Sequence, residues 1–213
     1  MGWHEAVGLI TLIFLSFAFV HSLSAAGFVK ALTGRIFGRG FVRAFYRFLY
    51  TCFSALTTLG AVYLILGIPD VTLYEAPFLL RLLMHAIQSG GFILGILSLR
   101  AVNPFEFMGF SQAWRYIVKG QAGGDAEGMT GEGLIKTGVY GIVRHPLYLA
   151  GIIIFSFNPV ITRNWLTVSV LSDMYFIFGA FIEQRRLIRR FGNEYRKYMK
   201  EVPGFVPRLR KIS

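Results

Sequence analysis

Charged residues are scarce in this sequence and are absent from long stretches of it. Only 15% of the 213 residues are charged. Four windows, 6–29, 48–69, 82–99 and 146–162, contain no Asp, Glu, Lys or Arg. A helix needs about 20 apolar residues to cross a hydrocarbon core about 30 Å thick. These windows exclude an ordinary soluble domain and predict an all-α, polytopic membrane protein.

Cysteine is almost absent, since Cys52 is the only one in the chain. A disulfide within the chain is therefore excluded, and cysteine usage carries no information about the redox compartment. The sequence also lacks the spaced Cys, His and carboxylate ligands of a metal site, a Walker phosphate-binding loop and a nucleophile elbow. We therefore expect no metal, no nucleotide-triphosphate site and no serine-hydrolase chemistry.

The windows predict about five transmembrane helices. The first three are expected near residues 5–27, 47–67 and 77–99. No Lys or Arg precedes the first window, which is also too long for a signal peptide, so we expect a retained span. Residues 147–158 rise only about 18 Å as a helix, so this arm must begin before Pro146, kink or remain partly submerged. Residues 163–182 return, which predicts a helical hairpin.

Basic residues outnumber acidic ones by 22 to 11, and they fall on alternate loops. Five lie in residues 30–47, five in 100–144 and ten in 185–211, whereas the connection between the second and third spans has none. Cytoplasmic loops carry the excess of Lys and Arg. The pattern predicts an integral membrane protein with its N-terminus outside and its C-terminus in the cytoplasm. It favours anionic membrane lipids, and not nucleic acid, as the partner of the basic surface.

Two further segments are predicted on the cytoplasmic side. Residues 119–133 contain six glycines, which is typical either of a linker or of a mobile lid over a site. Residues 183–201 are expected to form an amphipathic interfacial helix. Its apolar stripe consists of Leu187, Phe191, Tyr195 and Tyr198.

Polar side chains at the two ends of the hairpin are the candidates for chemistry. His145 and Pro146 stand at a predicted helix start, where free backbone N–H groups can hold an anion. The hairpin brings Arg144 and His145 close to Glu183. Each of these residues also has a structural interpretation, as a capping turn for His145 and as a salt bridge for Glu183.

Two polar residues lie inside predicted spans, where an unsatisfied charge is costly. Asp173 is expected either to hydrogen-bond Asn164, Ser156 or a tyrosine, or to contact a substrate. His21 is either a packing residue or, if it faces the hairpin, an acceptor for a proton from the substrate.

The carboxyl-terminal third resembles the integral-membrane methyltransferases, which include isoprenylcysteine carboxyl methyltransferase and phospholipid methyltransferases. The resemblance covers about residues 134–207 and lies in an ordered series of motifs: Gly138-Val-Tyr140, Arg144-His-Pro-Leu-Tyr148, Gly151, Asn158-Pro159, Glu183, Phe191-Gly192, Tyr195, Val202-Pro203 and Pro207. The amino-terminal part, with His21-Ser22 and Tyr46 to Tyr50, is similar to the methanethiol S-methyltransferases and to nitrite-reduction-associated membrane proteins of the same superfamily.

The resemblance implies that S-adenosyl-L-methionine binds on the cytoplasmic side, between the hairpin and the tail. Carried over by position, the cofactor-binding residues are Leu134, Gly138, Tyr140, His145, Pro146, Tyr148, Gly151 and Glu183. The candidate catalytic residues are Glu183, Arg144 and His21. Many members of the superfamily have two adjacent acidic residues at the position of Glu183, whereas this chain has Gln184 second. A role that needs both carboxylates therefore does not carry over.

One integral-membrane domain is predicted, with a substrate-side part (1–100), a cytoplasmic loop (101–137) and a cofactor-binding hairpin and tail (138–207). The expected function is methyl transfer to a small thiol or to a lipid-like, isoprenyl acceptor. Two alternatives remain open at this point: an NADPH-dependent enzyme of the sterol-reductase type, and a non-catalytic membrane partner in the maturation of a respiratory complex. The oligomeric state cannot be inferred from the sequence.

Overall fold

The computed structural model describes residues 1–120 and 133–207 and is almost entirely helical. The chain divides into two compact units, Met1–Pro69 with Val102–Gly133, and Asp70–Ala101 with Leu134–Ser213. In chain order the elements are α1 (Trp3–Ala25), α2 (Gly27–Phe37), α3 (Arg39–Phe41), a π-helical segment (Val42–Tyr46), α4 (Arg47–Leu66), β1 (Thr72–Glu75), α5 (Phe78–Ala101), α6 (Pro104–Met108), α7 (Phe110–Lys119), a 3₁₀ turn (Gly138–Gly141), α8 (Pro146–Ser156), β2 (Val160–Thr162), α9 (Arg163–Phe191) and α10 (Asn193–Glu201).

Four helices in the described part of the chain are long and apolar enough to cross a membrane. They are α1, the continuous run Arg39–Leu66, α5 and α9. The prediction of an all-α, polytopic membrane protein is confirmed. Helices α1 and α5 lie within two residues of the predicted spans, whereas the second span begins about two helical turns earlier, at Arg39. The fourth predicted span corresponds to α8, which has only 11 residues.

The short helix α8 begins at Pro146, its first helical residue, and ends at Ser156. Proline suits this position because its missing N–H group would have no partner in the first turn. Eleven residues rise about 16 Å, whereas α9 rises about 30 Å between Arg163 and Glu183. Residues 157–162, which end in the extended strand β2, supply the difference, since extended chain spans about 3.3 Å or more per residue. The hairpin therefore has one arm that is helical throughout and one that ends in extended chain.

The extended end of the hairpin obtains its hydrogen bonds from the segment that precedes α5. Strands β1 and β2 pair antiparallel, with Thr72 opposite Thr162 and Glu75 opposite Val160. Backbone bonds continue beyond the strands, from Ala76 N–H to the Pro159 carbonyl over 2.9 Å. Backbone polar groups must be paired wherever water is excluded. The pairing explains how a non-helical segment is tolerated in this unit.

Asp70 completes this end of the second unit by capping α9 from a distant part of the sequence. Its Oδ1 accepts hydrogen bonds from the backbone N–H groups of Asn164 (2.9 Å) and Val71 (2.8 Å). Partial burial raises the pKa of Asp70. A further hydrogen bond from the Thr162 side chain, the two backbone hydrogen bonds and the charge of Arg163 lower it, and the net pKa is below the usual range. The carboxylate therefore stays ionised at the positive end of the helix dipole.

Helices α5 and α8 pack closely because glycine faces the branched side chains of α8. A Cβ placed on Gly91 would lie 2.8 Å from Ile153 Cγ2, and one on Gly95 would lie 3.6 Å from Ala150 Cβ. Small residues permit this approach between membrane helices. The neighbouring Gly90 has nothing within 4 Å of such a Cβ, so only one residue of the glycine pair serves the contact.

Helix α9 is longer than predicted, and the tail helix is shorter. Gly192 ends α9 with a φ of +55°, a conformation that favours glycine, and α10 begins at Asn193. The prediction of a continuous helix over 183–201 is therefore wrong. Within α9, Asp173 accepts a hydrogen bond from Ser156 over 2.6 Å, which is one of the partners expected for it.

The segment that follows α5 contains more helix than the sequence suggested. Asn103 caps α6 by accepting the N–H of Glu106, and Arg47 donates to the Phe107 carbonyl over 2.6 Å. Gly109 has a φ of +87°, and a side chain there would overlap the backbone of Phe48. Helix α7 follows at once and ends at Lys119. Most of the predicted lid over 119–133 lies outside the described residues.

We predict that Gly91→Ala lowers the thermal unfolding midpoint in detergent. The added methyl meets the branched Ile153 at a distance that requires α5 or α8 to move, and overpacking of this kind costs about 1–3 kcal/mol. The matched control is Gly90→Ala, which adds the same methyl one residue away in open space and should leave the midpoint unchanged or slightly higher. Equal effects of the two substitutions would contradict the packing described for α5 and α8.

Candidate active site

The second unit brings the start of α8 against the tail that follows α10. The backbone N–H groups of Arg144 and His145 donate to the carbonyls of Pro203 (2.9 Å) and Gly204 (3.2 Å). We call these residues, together with Pro146 and Phe205, the α8 junction. These two hydrogen bonds fix the backbone of Arg144 and His145 against the tail, and they thereby restrict where the two side chains can lie.

His145 is buried within the junction and pairs with a carboxylate of α9. Its side chain is only 3% exposed, and its Nδ1 lies 3.4 Å from Glu183 Oε2. The imidazole also contacts the rings of Phe205 and Tyr148, with centroid separations of 5.6 and 5.9 Å. The predicted approach of the two ends of the hairpin is therefore present in the structure. Glu183 remains 30% exposed, so its carboxylate is accessible as well as paired.

Arg144 contributes a half-buried cation with unused donors. Its Nε and Nη1 atoms are buried and have no hydrogen-bond partner among residues 1–120 and 133–207. Buried charged donors are nearly always paired, since leaving them unsatisfied costs free energy. Arg144 is therefore the residue of this site that most clearly calls for an anionic ligand.

Three tyrosines surround these groups, and they differ in their hydrogen bonding. Tyr198 donates to the Tyr140 carbonyl over 2.6 Å. The Tyr195 hydroxyl is buried and has no hydrogen-bond partner in the described part of the chain. Burial raises the pKa of Tyr195 to about 12, while the charges of Arg144 and Glu183 act on it in opposite directions. Burial and the charge of Glu183 also raise the pKa of Tyr140, so both phenols are neutral at physiological pH.

Taken together, Tyr140, Arg144, His145, Glu183 and Tyr195 form what we call the Arg144–Glu183 site. It presents one cation, one carboxylate and neutral aromatic groups within a partly enclosed environment. Three of its members, Arg144, His145 and Tyr195, have buried side-chain polar atoms with no hydrogen-bond partner in the described part of the chain. Such an arrangement suits a small ligand that carries charges of both signs.

The remaining predicted cofactor residues are distributed around this site. Leu134 packs against the cluster of Tyr195, Tyr198 and Val202. Gly138 opens the 3₁₀ turn with a φ of +61°. Pro146 is fully buried as the first residue of α8.

Gly151 does not have the open face that a flat ligand would need. A Cβ there would lie 2.6 Å from the Phe176 ring, so the glycine accommodates a side chain of α9. Tyr148 similarly lies over Gly179, where a Cβ would be 3.1 Å from the Tyr148 ring. The structure therefore supports a helix-packing role for Gly151.

His21 lies in the first unit and is held there by its own contacts. Its Nε2 is 2.9 Å from the Tyr50 hydroxyl, and its ring contacts Phe17 at a centroid separation of 5.5 Å. Arg47 lies over the Tyr50 ring, with its guanidinium carbon 5.7 Å from the centroid. The role of His21 as a proton acceptor stays a prediction.

Sequence reasoning missed the part played by the tail backbone and by two of the aromatic residues. Pro203 and Gly204 contribute carbonyl groups, which no side-chain pattern reveals. Phe205 covers His145. Tyr195 was expected on the apolar stripe of an interfacial helix, whereas it is only 1% exposed within the protein. The Val202-Pro203 motif was the available signal for this tail segment, because proline shortly after a helix end indicates that the chain leaves the helix there.

Comparison with known proteins decides the relationship of this chain. It is 27% identical over 208 residues to methanethiol S-methyltransferase 1 of Bradyrhizobium diazoefficiens. The aligned region covers 98% of this chain and 69% of the relative. It is 24% identical over 198 residues to the methanethiol S-methyltransferase of Crocosphaera subtropica, covering 92% and 73% of the two chains. The chain is related to the methanethiol S-methyltransferases.

Other comparisons add a shorter match and two negative results. A methanethiol S-methyltransferase of Pseudomonas deceptionensis is 36% identical over 73 residues, which is 34% of this chain and 28% of the relative. No family model and no solved structure matches the chain. The relationship to membrane methyltransferases expected from the motifs is therefore confirmed by whole-chain relatives.

We predict that Tyr198→Phe destabilises the ligand-free protein, whereas Tyr195→Phe does not. Removing the Tyr198 hydroxyl leaves the Tyr140 carbonyl without its donor, which costs about 1–3 kcal/mol. Removing the Tyr195 hydroxyl deletes a buried group that has no hydrogen-bond partner among the described residues, so the stability should stay equal or rise. Thermal unfolding in detergent measures both. A Tyr195→Phe loss as large as that of Tyr198→Phe would show that Tyr195 has a structural bond.

Proposed function

We propose that this protein is a membrane-embedded methyltransferase that uses S-adenosyl-L-methionine and acts on a small thiol of the methanethiol class. The observation that carries the proposal is the buried pair of unused Arg144 donors beside the Glu183 carboxylate. The support from outside the structure is the relationship to proteins named methanethiol S-methyltransferase over nearly the whole chain.

The residues of the Arg144–Glu183 site fit this cofactor. Its methionine part carries a carboxylate and an ammonium group, and the reactive sulfur is a cation. Arg144 offers two N–H groups to the carboxylate, an interaction that guanidinium makes especially well. Glu183 complements the positive groups, and the faces of Tyr140 and Tyr195 suit a sulfonium through cation–π attraction. When bound, the cofactor supplies a methyl group activated by the positive charge on its sulfur.

His145 is assigned a positioning role. Its pairing with Glu183 at 3.4 Å and its packing against Phe205 and Tyr148 restrict both the imidazole and the carboxylate. Ordered groups of this kind matter because displacement at a methyl carbon requires an in-line approach, and positioning supplies much of the rate. Loss of His145 is therefore expected to act through Glu183.

In the proposed reaction the thiol sulfur would take the methyl group that the bound cofactor supplies, as the bond from that methyl carbon to the cofactor sulfur breaks. The thiol proton would pass to a base, for which the accessible Glu183 carboxylate is the candidate within this site. An ionised thiol is the effective nucleophile. The relatives' names favour a small thiol over the lipid-like, isoprenyl acceptor. They also favour methyl transfer over the reductase and the non-catalytic alternatives.

Localisation follows from the same proposal. The charge pattern supports a cytoplasmic C-terminus, and with it a cytoplasmic α8 junction. A water-soluble cofactor would then reach the site from the cytosol. Four helices in the described part of the chain are long enough to hold the protein in the membrane.

We predict that S-adenosylhomocysteine binds the detergent-solubilised protein and that Arg144→Gln and Glu183→Gln each weaken binding about tenfold or more. The expected loss corresponds to one charge-assisted hydrogen bond, about 1.5–3 kcal/mol. Isothermal titration calorimetry measures it. The matched control is Arg185→Gln, which removes an exposed arginine two residues beyond Glu183 and should bind like the wild type.

The companion assay follows methyl transfer from the labelled cofactor to methanethiol, with volatile dimethyl sulfide as the product. We expect turnover by the wild type and loss of turnover in Arg144→Gln. Folded protein that neither binds S-adenosylhomocysteine nor methylates any thiol would refute the proposed function. Binding without turnover on methanethiol would retain the cofactor and redirect the search to another acceptor.

A further inference from the structure

Helix α7, in the first unit, has an apolar side and a charged side. Phe110, Trp114, Ile117 and Val118 recur at the i, i+4, i+7 and i+8 spacing of a helical stripe. Arg115 and Lys119, at a spacing of four, lie on the other side of the helix. Gln112 and Ala113 are buried against the protein.

The apolar face of α7 is exposed. Trp114 is 67% exposed, Ile117 68%, Val118 57% and Phe110 47%. Large apolar side chains of this kind are normally covered, and a contiguous group of them marks an interaction surface. The face therefore needs an occupant that the described part of the chain does not provide.

The orientation of α7 is fixed by contacts with α6 and with Phe48 of the run Arg39–Leu66, so the helix cannot rotate to bury this stripe. Gln112 Nε2 donates to the Glu106 carbonyl over 3.0 Å, and Arg115 pairs with the Glu106 carboxylate over the same distance. Gly109 brings the start of α7 into contact with the Phe48 backbone. Phe48 and Phe110 are in edge contact, with centroids 5.0 Å apart.

A cleft of about 480 Å³ continues from the apolar face of α7 towards the transmembrane run Arg39–Leu66. Its walls are almost wholly apolar and include Phe45 and Phe48 of that run, Phe105 of α6, and Trp114 and Ile117 of α7. The apolar window of the run has no buried residue and is long enough to cross a membrane, so we expect acyl chains along its exposed side. The cleft is continuous with that side of the run.

We propose that α7 is an in-plane membrane anchor and that lipid acyl chains occupy its apolar face and the adjoining cleft. The charged face fits this placement, because Lys119 is exposed at the end of the helix and cations favour phosphate headgroups. An amphipathic helix with Trp and Phe on one face and cations on another lies with its apolar side about 5–10 Å below the headgroups. Part of the predicted cytoplasmic loop (101–137) would thus contact the bilayer in addition to the transmembrane helices.

The test compares two exposed positions two residues apart on α7. In a Cys52→Ser background, Ile117→Cys places a thiol on the apolar face and Lys119→Cys places one on the charged face. The full-length protein is reconstituted in nanodiscs of phosphatidylcholine and phosphatidylglycerol, which leave both membrane sides open to a charged maleimide. We expect Ile117→Cys to react at least about tenfold more slowly than Lys119→Cys, and both to react equally in sodium dodecyl sulfate.

Equal rates in nanodiscs would overturn the proposal, since both positions are exposed in the protein itself. Efficient cross-linking of Ile117→Cys into dimers would also overturn it, by assigning the face to a second copy of the chain. Val118→Cys, the adjacent position on the same face, provides a second variant should Ile117→Cys fail to fold. It should show the same protection.

Discussion

The Arg144–Glu183 site depends on the two backbone hydrogen bonds that join the start of α8 to the tail. With Arg144 and His145 N–H groups held by Pro203 and Gly204, the tail passes over the imidazole and places Phe205 against it. The same crossing brings α10 close enough for Tyr198 to bond the Tyr140 carbonyl. A charged and polar site at the end of a membrane hairpin is stable because its surroundings are ordered by backbone pairing and aromatic packing.

The sequence predicted those parts of the fold that depend on hydropathy and on helix-breaking residues. Uncharged windows located α1, α4 and α5, and Asn158-Pro159 located the end of α8, because lipid admits long apolar helices and proline interrupts them. The proximity of His145 and Glu183 followed from the hairpin alone. It required only that both arms span the same depth, which the non-helical residues 157–162 make possible despite the brevity of α8.

Features that depend on long-range pairing or on the path of the backbone could not be predicted. Asp70 caps α9 across 94 positions of sequence, and no local pattern indicates such a bond. The break at Gly192 was missed because the apolar stripe continues through it in register. Tyr195 was expected on the stripe of an interfacial helix because a stripe of tyrosines has the same periodicity whether it faces protein or membrane. Gly151 was assigned to a ligand because sequence does not show that Phe176 fills its open side.

The central claim is that an S-adenosyl ligand binds beside Arg144 and Glu183. It is tested most directly by photolabelling the membrane-embedded protein with an S-adenosyl analogue that carries an azide on adenine, followed by peptide mapping. The account predicts adducts within residues 134–149 or 193–207 that are suppressed by excess S-adenosylhomocysteine. Competable adducts confined to residues 1–66 would contradict it.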